Sequence, residues 1–245
     1  MRNELAAVAR SGLRIVRLLL PWDAFMPEPS RVPDRRMRQL DSVLAVCDAE
    51  SLQAVPVLNA QSLGGCVMLP PYAIDAFRRA SGVRVVTDGV VQPGAPRDQH
   101  TDPLLLDVQL RWLETLLTAF AGHDAILMWD LGHDPAATMR PRRIEQQKRW
   151  CHLLATAVHA HGERCTLTLG SDDLVTARGV RPGELAPLLD VIGVAAAAAA
   201  ARTATAVADL ALLAHLVMRM SGSGTPVAVH VPAPLPPTDP RRFAA

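Results

Sequence analysis

Apolar and polar positions follow two rhythms along the chain. Short runs dense in aliphatic residues, LRIVRLLLPW (13–22), LQAVPVLNA (52–60), AILMWDLG (125–132), RCTLTLGSD (164–172), LLDVIGVAAA (188–197) and PVAVHV (226–231), read as buried strands. Between them lie stretches of helical period. Residues 3–10 end at Ser11 and Gly12, and Asp34 opens a helix with Met37, Leu40, Val43, Leu44 and Cys47 on one face. Asp102 and Pro103 start a third helix that closes on Gly122. Two more run from about 142 to 161, before Gly162, and from 205 to 220, before SGSG. Strands separated by helices pair in parallel through right-handed crossovers, so the fold class is α/β.

Two segments break the rhythm. From Gln61 to Thr101 the pairs GG, PP, DG and PG predict a long excursion of loop. Loops of that length inside a compact domain usually carry function or lack order. The last segment, PAPLPPTDPRRFAA, is too rich in proline for a paired strand or a helix interior. The expected organisation is therefore one domain over residues 1–231 and a proline-rich tail over 232–245.

Composition narrows the classes of function. With 25 Lys plus Arg against 24 Asp plus Glu in 245 residues, the chain exerts no net pull on nucleic acid or on an anionic membrane, and neither is expected as a partner. The arginines of DRRMR and RPRR fall on helical segments and read as solvated faces. Cys47, Cys66, Cys151 and Cys165 form no CxxC pair, so no metal or other cofactor is expected and the thiols read as reduced. His159, His161 and Cys165 look ligand-like, but they straddle a helix end where histidine complements the helix dipole, and they read as structural. The first residues lack the apolar core of a signal peptide, which predicts a cytoplasmic chain.

Two architectures suit the pattern, a doubly wound sheet and a (β/α)8 barrel. No GxGxxG or GxxxxGK[ST] follows any strand, which removes support from the nucleotide-binding forms of the first. Strand C-terminal ends instead carry Trp22, Asp23, Asn59, Gln61, His133, Asp134, Ser171, Asp172 and His230. Functional side chains collect at that end of a barrel, and the clustering favours the (β/α)8 type.

The segments GLRIVRLLLPWDAFMPEP (12–29), LDSVLAVCDAESLQAVPVLN (40–59), HDAILMWDLGHDP (123–135), LLDVIGV and GTPVAVHV occur in an order that resembles the cellulase-like clan of retaining glycoside hydrolases, family five and its mannanase relatives in particular. The first resembles that family's second strand with its arginine, here Arg17. The third resembles the fourth strand, which ends in Asn-Glu-Pro; here those positions are His133, Asp134 and Pro135. The last two resemble the sixth and seventh strands. On this alignment six of eight strands are present, and the barrel's open edges call for a second copy or a partner chain.

What the resemblance implies is hydrolysis of O-glycosidic bonds in a β-linked oligo- or polysaccharide. Asp134 stands where the family has its acid/base Glu. The seventh strand, where the family has its nucleophile, reads Val229, His230, Val231 and holds no carboxylate. Aromatic and histidine positions after the sixth strand fall in the tract Ala195 to Ala201. The expectation is a barrel with a degraded catalytic pair that binds carbohydrate through Arg17, Trp22, Asn59, Trp129, His133 and Asp172, the two indoles offering stacking faces. One alternative is a working glycosidase with Asp134 as acid and His230, Asp172 or Asp173 as the base of an inverting mechanism, which needs about 6.5–9.5 Å between the groups. Another is zinc on His133, Asp134 and His230, a set zinc accepts but the spacing does not fix. A third is a chain that acts only by assembly.

Overall fold

The computed structural model describes residues 2–63, 65–80, 82–175, 180–196, 206–222 and 224–230. Helix α1 (Arg2–Arg10) leads to strand β1 (Ile15–Leu19), a single turn α2 (Trp22–Phe25), helix α3 (Asp34–Ala49) and strand β2 (Gln53–Val57). Six short strands follow, β3 (Ser62–Leu63), β4 (Cys66–Met68), β5 (Ile74–Arg79), β6 (Arg84–Thr87), β7 (Val90–Gln92) and β8 (Gly94–Pro96). Then come α4 (Pro103–Phe120), β9 (Trp129–His133), the turn α5 (Pro135–Thr138), α6 (Ile144–Ala160) and β10 (Cys165–Leu169). The turns α7 (Ser171–Val175) and α8 (Pro182–Leu185), strand β11 (Val191–Ala195), helix α9 (Ala206–Ser221) and strand β12 (Val227–His230) complete the described chain.

The main sheet has six strands in the order β1-β2-β9-β10-β11-β12. Every pairing in it is parallel, and the sheet curls into part of a (β/α)8 barrel. Its middle reads as near-continuous burial, as expected of a parallel strand covered on both faces: all five residues of β10 are buried. The ends are different. Strand β1 has both terminal residues exposed and β12 is only half-buried throughout, and the two are not bonded to one another among the described residues. The strands are shorter than their apolar runs because the flanking residues leave the ladder to begin turns.

Helices cover the outer face for the reasons their sequences give. Asp102 caps α4 by accepting hydrogen bonds from the Leu104 and Leu105 amides at 3.0 and 3.4 Å, and Pro103 supplies a first position that needs no donor. The helix buries Leu105, Val108, Trp112, Leu113, Leu116 and Leu117. Trp112 stacks on Phe25 with ring centroids 6.0 Å apart. Each leucine so buried contributes about 1.5–3 kcal/mol relative to exposure. Outer-face strand residues such as Leu167, Leu169, Ile192 and Val194 join the same core.

The excursion after Gln61 is a folded insertion rather than loop. Strands β3-β4-β6-β7 form one small sheet and β5-β8 a second. The Asp88-Gly89 pair, at φ 50° and 76°, is the two-residue turn of the β6–β7 hairpin. Both central residues have the positive φ of a type I′ turn, which matches the twist of paired strands. Among the described residues no helix is long and apolar enough to cross a membrane.

Candidate functional site

Alternation along the strands decides which side chains reach the inside of the curl. Register pairs in a parallel sheet share a face, and residues two apart share it as well. Arg17 pairs with Val55, Val57 with Asp130, Asp130 with Thr166, Thr168 with both His133 and Gly193, and Ala195 with His230. Their neighbours, Val16, Leu18, Trp129, Cys165 and Leu167, face the helices.

Asp130 and His133 are three residues apart and would face opposite ways in a regular strand. A bulge brings them to the same side: between Thr166 and Thr168 on β10, strand β9 advances from Asp130 to His133. The extra residue rephases the strand. Asp130 fixes the bulge by accepting the Gly132 amide at Oδ1, 3.1 Å away. Asn59, two residues past β2 and at φ 49°, braces it by donating Nδ2 to the Leu131 carbonyl at 2.9 Å.

The result is a connected polar cluster inside the curl, reaching from Arg17 and Asp130 within their strands to His133 and His230 at the strand C-terminal ends. Arg17 Nη2 donates to Asp130 Oδ2 at 2.5 Å and to Thr168 Oγ1 at 3.0 Å, and Thr168 in turn donates to the same Asp130 oxygen at 2.5 Å. Asp130 is fully buried, so its charge requires this partner. Arg17 Nη1 lies 3.4 Å from His133 Nδ1, a contact that needs that nitrogen unprotonated. Burial first, and then the Arg17 charge, hold His133 below the usual imidazole range. The same two causes, with His133 added, push His230 down to about 3. His230 Nε2 is buried without a hydrogen-bond partner among the described residues. A Cβ at Gly193 would lie 2.7 Å from Thr168 Oγ1 and 2.9 Å from His230 Nε2, so the missing side chain makes the room these two polar atoms share.

Asp134 follows at the end of β9 in a left-handed conformation, φ 47°, with its amide bonded to the Thr168 carbonyl at 2.9 Å. Its carboxylate rests against the Cα of Gly170, where any Cβ would collide with it. Beneath the turn runs a chain of amides: Gln61 donates to Gln99 at 2.7 Å, Gln99 to the Pro135 carbonyl at 3.3 Å, and Gln109 to the Gln99 carbonyl at 2.9 Å. Trp150 Nε1 donates to Gln109 Oε1 at 2.8 Å and ties the chain to α6.

The structure thus brings together Arg17, His133 and His230, with Asp134 beside them. It adds Asp130 and Thr168, which the sequence reading passed over. The available signal was that an arginine inside an apolar strand needs a buried acid, and Asp130 is the acid inside the apolar run of β9. Asn59 is a brace, 2 % exposed. Trp22 and Trp129 present no free stacking face, at 1 % and 0 % exposure. Trp22 turns into α2 and donates to Tyr72 Oη at 2.9 Å, while Trp129 points into the helix-side core by simple alternation. The side chain of Asp172, Val231, the alanines from 197 onward and the tail lie outside the described residues. His133, Asp134 and His230 do not converge as metal ligands; among the described residues the one such group is elsewhere. A cavity of about 460 Å³ also lies apart from the cluster, lined by Arg78, Asp98, Met139, Arg140 and Arg142 among others.

A curled parallel sheet with helices outside and a polar cluster reaching its strand C-terminal ends defines an incomplete (β/α)8 barrel of the kind enzymes use. At the level of sequence, no family model and no curated protein matches the chain. Solved structures do. A family-five, subfamily-18 glycoside hydrolase variant from Streptomyces cattleya, in complex with Manβ1-4GlcNAc, superposes with a TM-score of 0.76 at 19% identity over 92% of this chain and 55% of its own. An exo-β-1,4-mannosidase from Opitutaceae bacterium strain TAV5 gives 0.72 at 16% identity, over 94% of this chain and 41% of its own. Endo-glycoceramidase II from Rhodococcus sp. gives 0.63 at 11%, over 93% and 59%. The fold is that of the family-five glycoside hydrolases of the cellulase-like clan, and the chain spans about half the length of the structures it matches.

Proposed function

We propose that this chain is a saccharide-binding barrel without a working pair of catalytic carboxylates. The observation that supports it is the state of Asp130. The acid at the heart of the cluster is committed at both oxygens, to Arg17 and Thr168 through Oδ2 and to the Gly132 amide through Oδ1. Across the sheet the strand end presents His230, and the charges that act on it are those of Arg17 and His133. A retaining glycosidase needs two free carboxyl groups about 5–5.5 Å apart. This cluster offers hydrogen-bonding groups instead, on the half-buried Arg17 and His133 side chains, which suit a hydroxyl-rich ligand. β-1,4-Linked mannosides are the class to test, on the strength of the structural neighbours.

The glycosidase reading has one observation in its favour: His230 is held neutral, as a base must be. An imidazole pushed down to about 3 is nevertheless a weak base at neutral pH, because efficiency is greatest when the pKa lies near the working pH. Titrating the chain with Manβ1-4GlcNAc and β-1,4-mannobiose by calorimetry, while assaying β-mannoside and β-glucoside hydrolysis, separates the readings. Saccharide binding lost in His133→Ala, without turnover, is the expected result. Turnover that disappears in Asp134→Ala would overturn it in favour of a hydrolase. An assembly-only role predicts neither binding nor turnover, with a mass above the monomer in light scattering.

A further inference from the structure

At the opposite ends of the strands, three side chains of different chemistry converge. Cys165 is the first residue of β10, Asp190 directly precedes β11, and His159 lies in the last turn of α6. His159 Nε2 is 3.0 Å from Asp190 Oδ2 and 3.5 Å from Cys165 Sγ, and the three donor atoms all lie within 4.8 Å of one another. We propose that these residues form a site for a divalent transition metal, zinc by preference, that staples α6 to the starts of β10 and β11.

The geometry fits the ion. Zinc–sulfur and zinc–nitrogen bonds of about 2.3 and 2.0 Å at a tetrahedral angle put the two donors about 3.5 Å apart, the spacing seen between Cys165 and His159. The donor set, one thiolate, one imidazole and one carboxylate, selects zinc over magnesium or calcium, which prefer oxygen alone. On binding, the Cys165 thiol releases its proton to solvent, and the thiolate and the Asp190 carboxylate together neutralise the dication. The Cys165 amide already holds Asp190 Oδ2 at 2.8 Å, the kind of supporting bond that orients a ligand. Cys165 is fully buried while the His159 and Asp190 side chains are 45% and 35% exposed, so the fourth position faces water. Arg164 also acts on Asp190, and its guanidinium is bonded to the Leu127 carbonyl at 3.0 Å. The site is independent of the saccharide reading, since it lies on the face where barrels keep stability rather than catalysis.

The test is cobalt(II) and zinc titration of the full chain, reduced and stripped with chelator. The expected result is one equivalent of cobalt showing a thiolate charge-transfer band, displaced by zinc, with zinc raising the melting temperature. The band should persist in Cys66→Ser and vanish in Cys165→Ala. If Cys165→Ala does not fold, His159→Gln, at a half-exposed helix end, should lower zinc affinity by at least about tenfold. A cobalt spectrum without the thiolate band, or an affinity that His159→Gln leaves unchanged, would overturn the proposal.

Discussion

At the scale of single residues, the cluster is organised around one buried charge. Removing one partner of a buried pair leaves the other uncompensated, at a cost of about 3–5 kcal/mol. Asp130→Ala should destabilise the chain by the lower part of that range, because the Arg17 side chain keeps 17% of its exposure. Urea denaturation would read the loss. The histidines set a pH dependence. In the unfolded chain His230 takes a proton near its ordinary value of 6.5, whereas the folded chain refuses it until about 3. The unfolded state therefore binds more protons through that window, and stability falls as pH drops through it. His133, held low by burial and Arg17, acts in the same direction. Denaturation midpoints measured from about pH 6.5 downward should decline less steeply in His230→Asn. The sequence made His133 and His230 visible as polar residues at strand ends, and Arg17 through the resemblance of its strand to the family's second. It hid the role of Asp130, because a charge within an apolar run shows neither its phase nor its partner.

At the scale of elements, legibility tracked the strength of local signals. The α4 cap was readable as Asp102-Pro103 ahead of an apolar face, and Asp102→Ala should lower stability by about 1 kcal/mol in a thermal melt, the usual worth of such a cap. The six barrel strands were readable as aliphatic runs, with ends a few residues too generous. The insertion was not, because strands of two to six residues carry too few positions to show alternation. Its one strong cue was Asp88-Gly89 between RVVT and VVQ, the signature of a tight hairpin. The β9 bulge was equally hidden. Its one cue in WDLGH was Gly132, since an isolated glycine in a strand pattern suggests a bulge; the extra residue decides that His133 faces Arg17 and not the helices.

At the scale of the molecule, the curl leaves its first strand half-clothed. Ile15 and Leu19 share the inner face with Arg17 and are 54% and 39% exposed. Leu19→Lys should therefore shift the melting temperature of the chain by little, in keeping with the roughly ±0.5 kcal/mol of surface changes. Leu167→Lys, which buries a charge in the helix-side core, should prevent folding. A large drop for Leu19→Lys in light scattering mass or melting temperature would mean that another surface covers β1. The overall architecture was legible from the order of the strand segments together with the polar residues at their ends, although no family model and no curated protein matches the chain.

The sheet is also unevenly sewn. Strands β1 and β2 are matched over five register pairs, whereas β2 and β9 share a single one, Val57 with Asp130, reinforced by a bridge from Ala54 to Ile126. Residues 58–128, which include the whole insertion and α4, separate the two strands along the chain. Joining ends so distant along the chain carries an entropic charge that neighbouring pairs do not meet, and slows the step that depends on it. The protein should then assemble as two blocks, β1–β2 and β9–β12, that dock late. In native-state hydrogen exchange the Leu58 amide, bonded across the seam to Asp130 at 2.8 Å, should open before those of Leu167 and Ile192. Asp130, whose backbone makes that bond and whose side chain anchors Arg17, would make the order of folding and the shape of the mouth a single event.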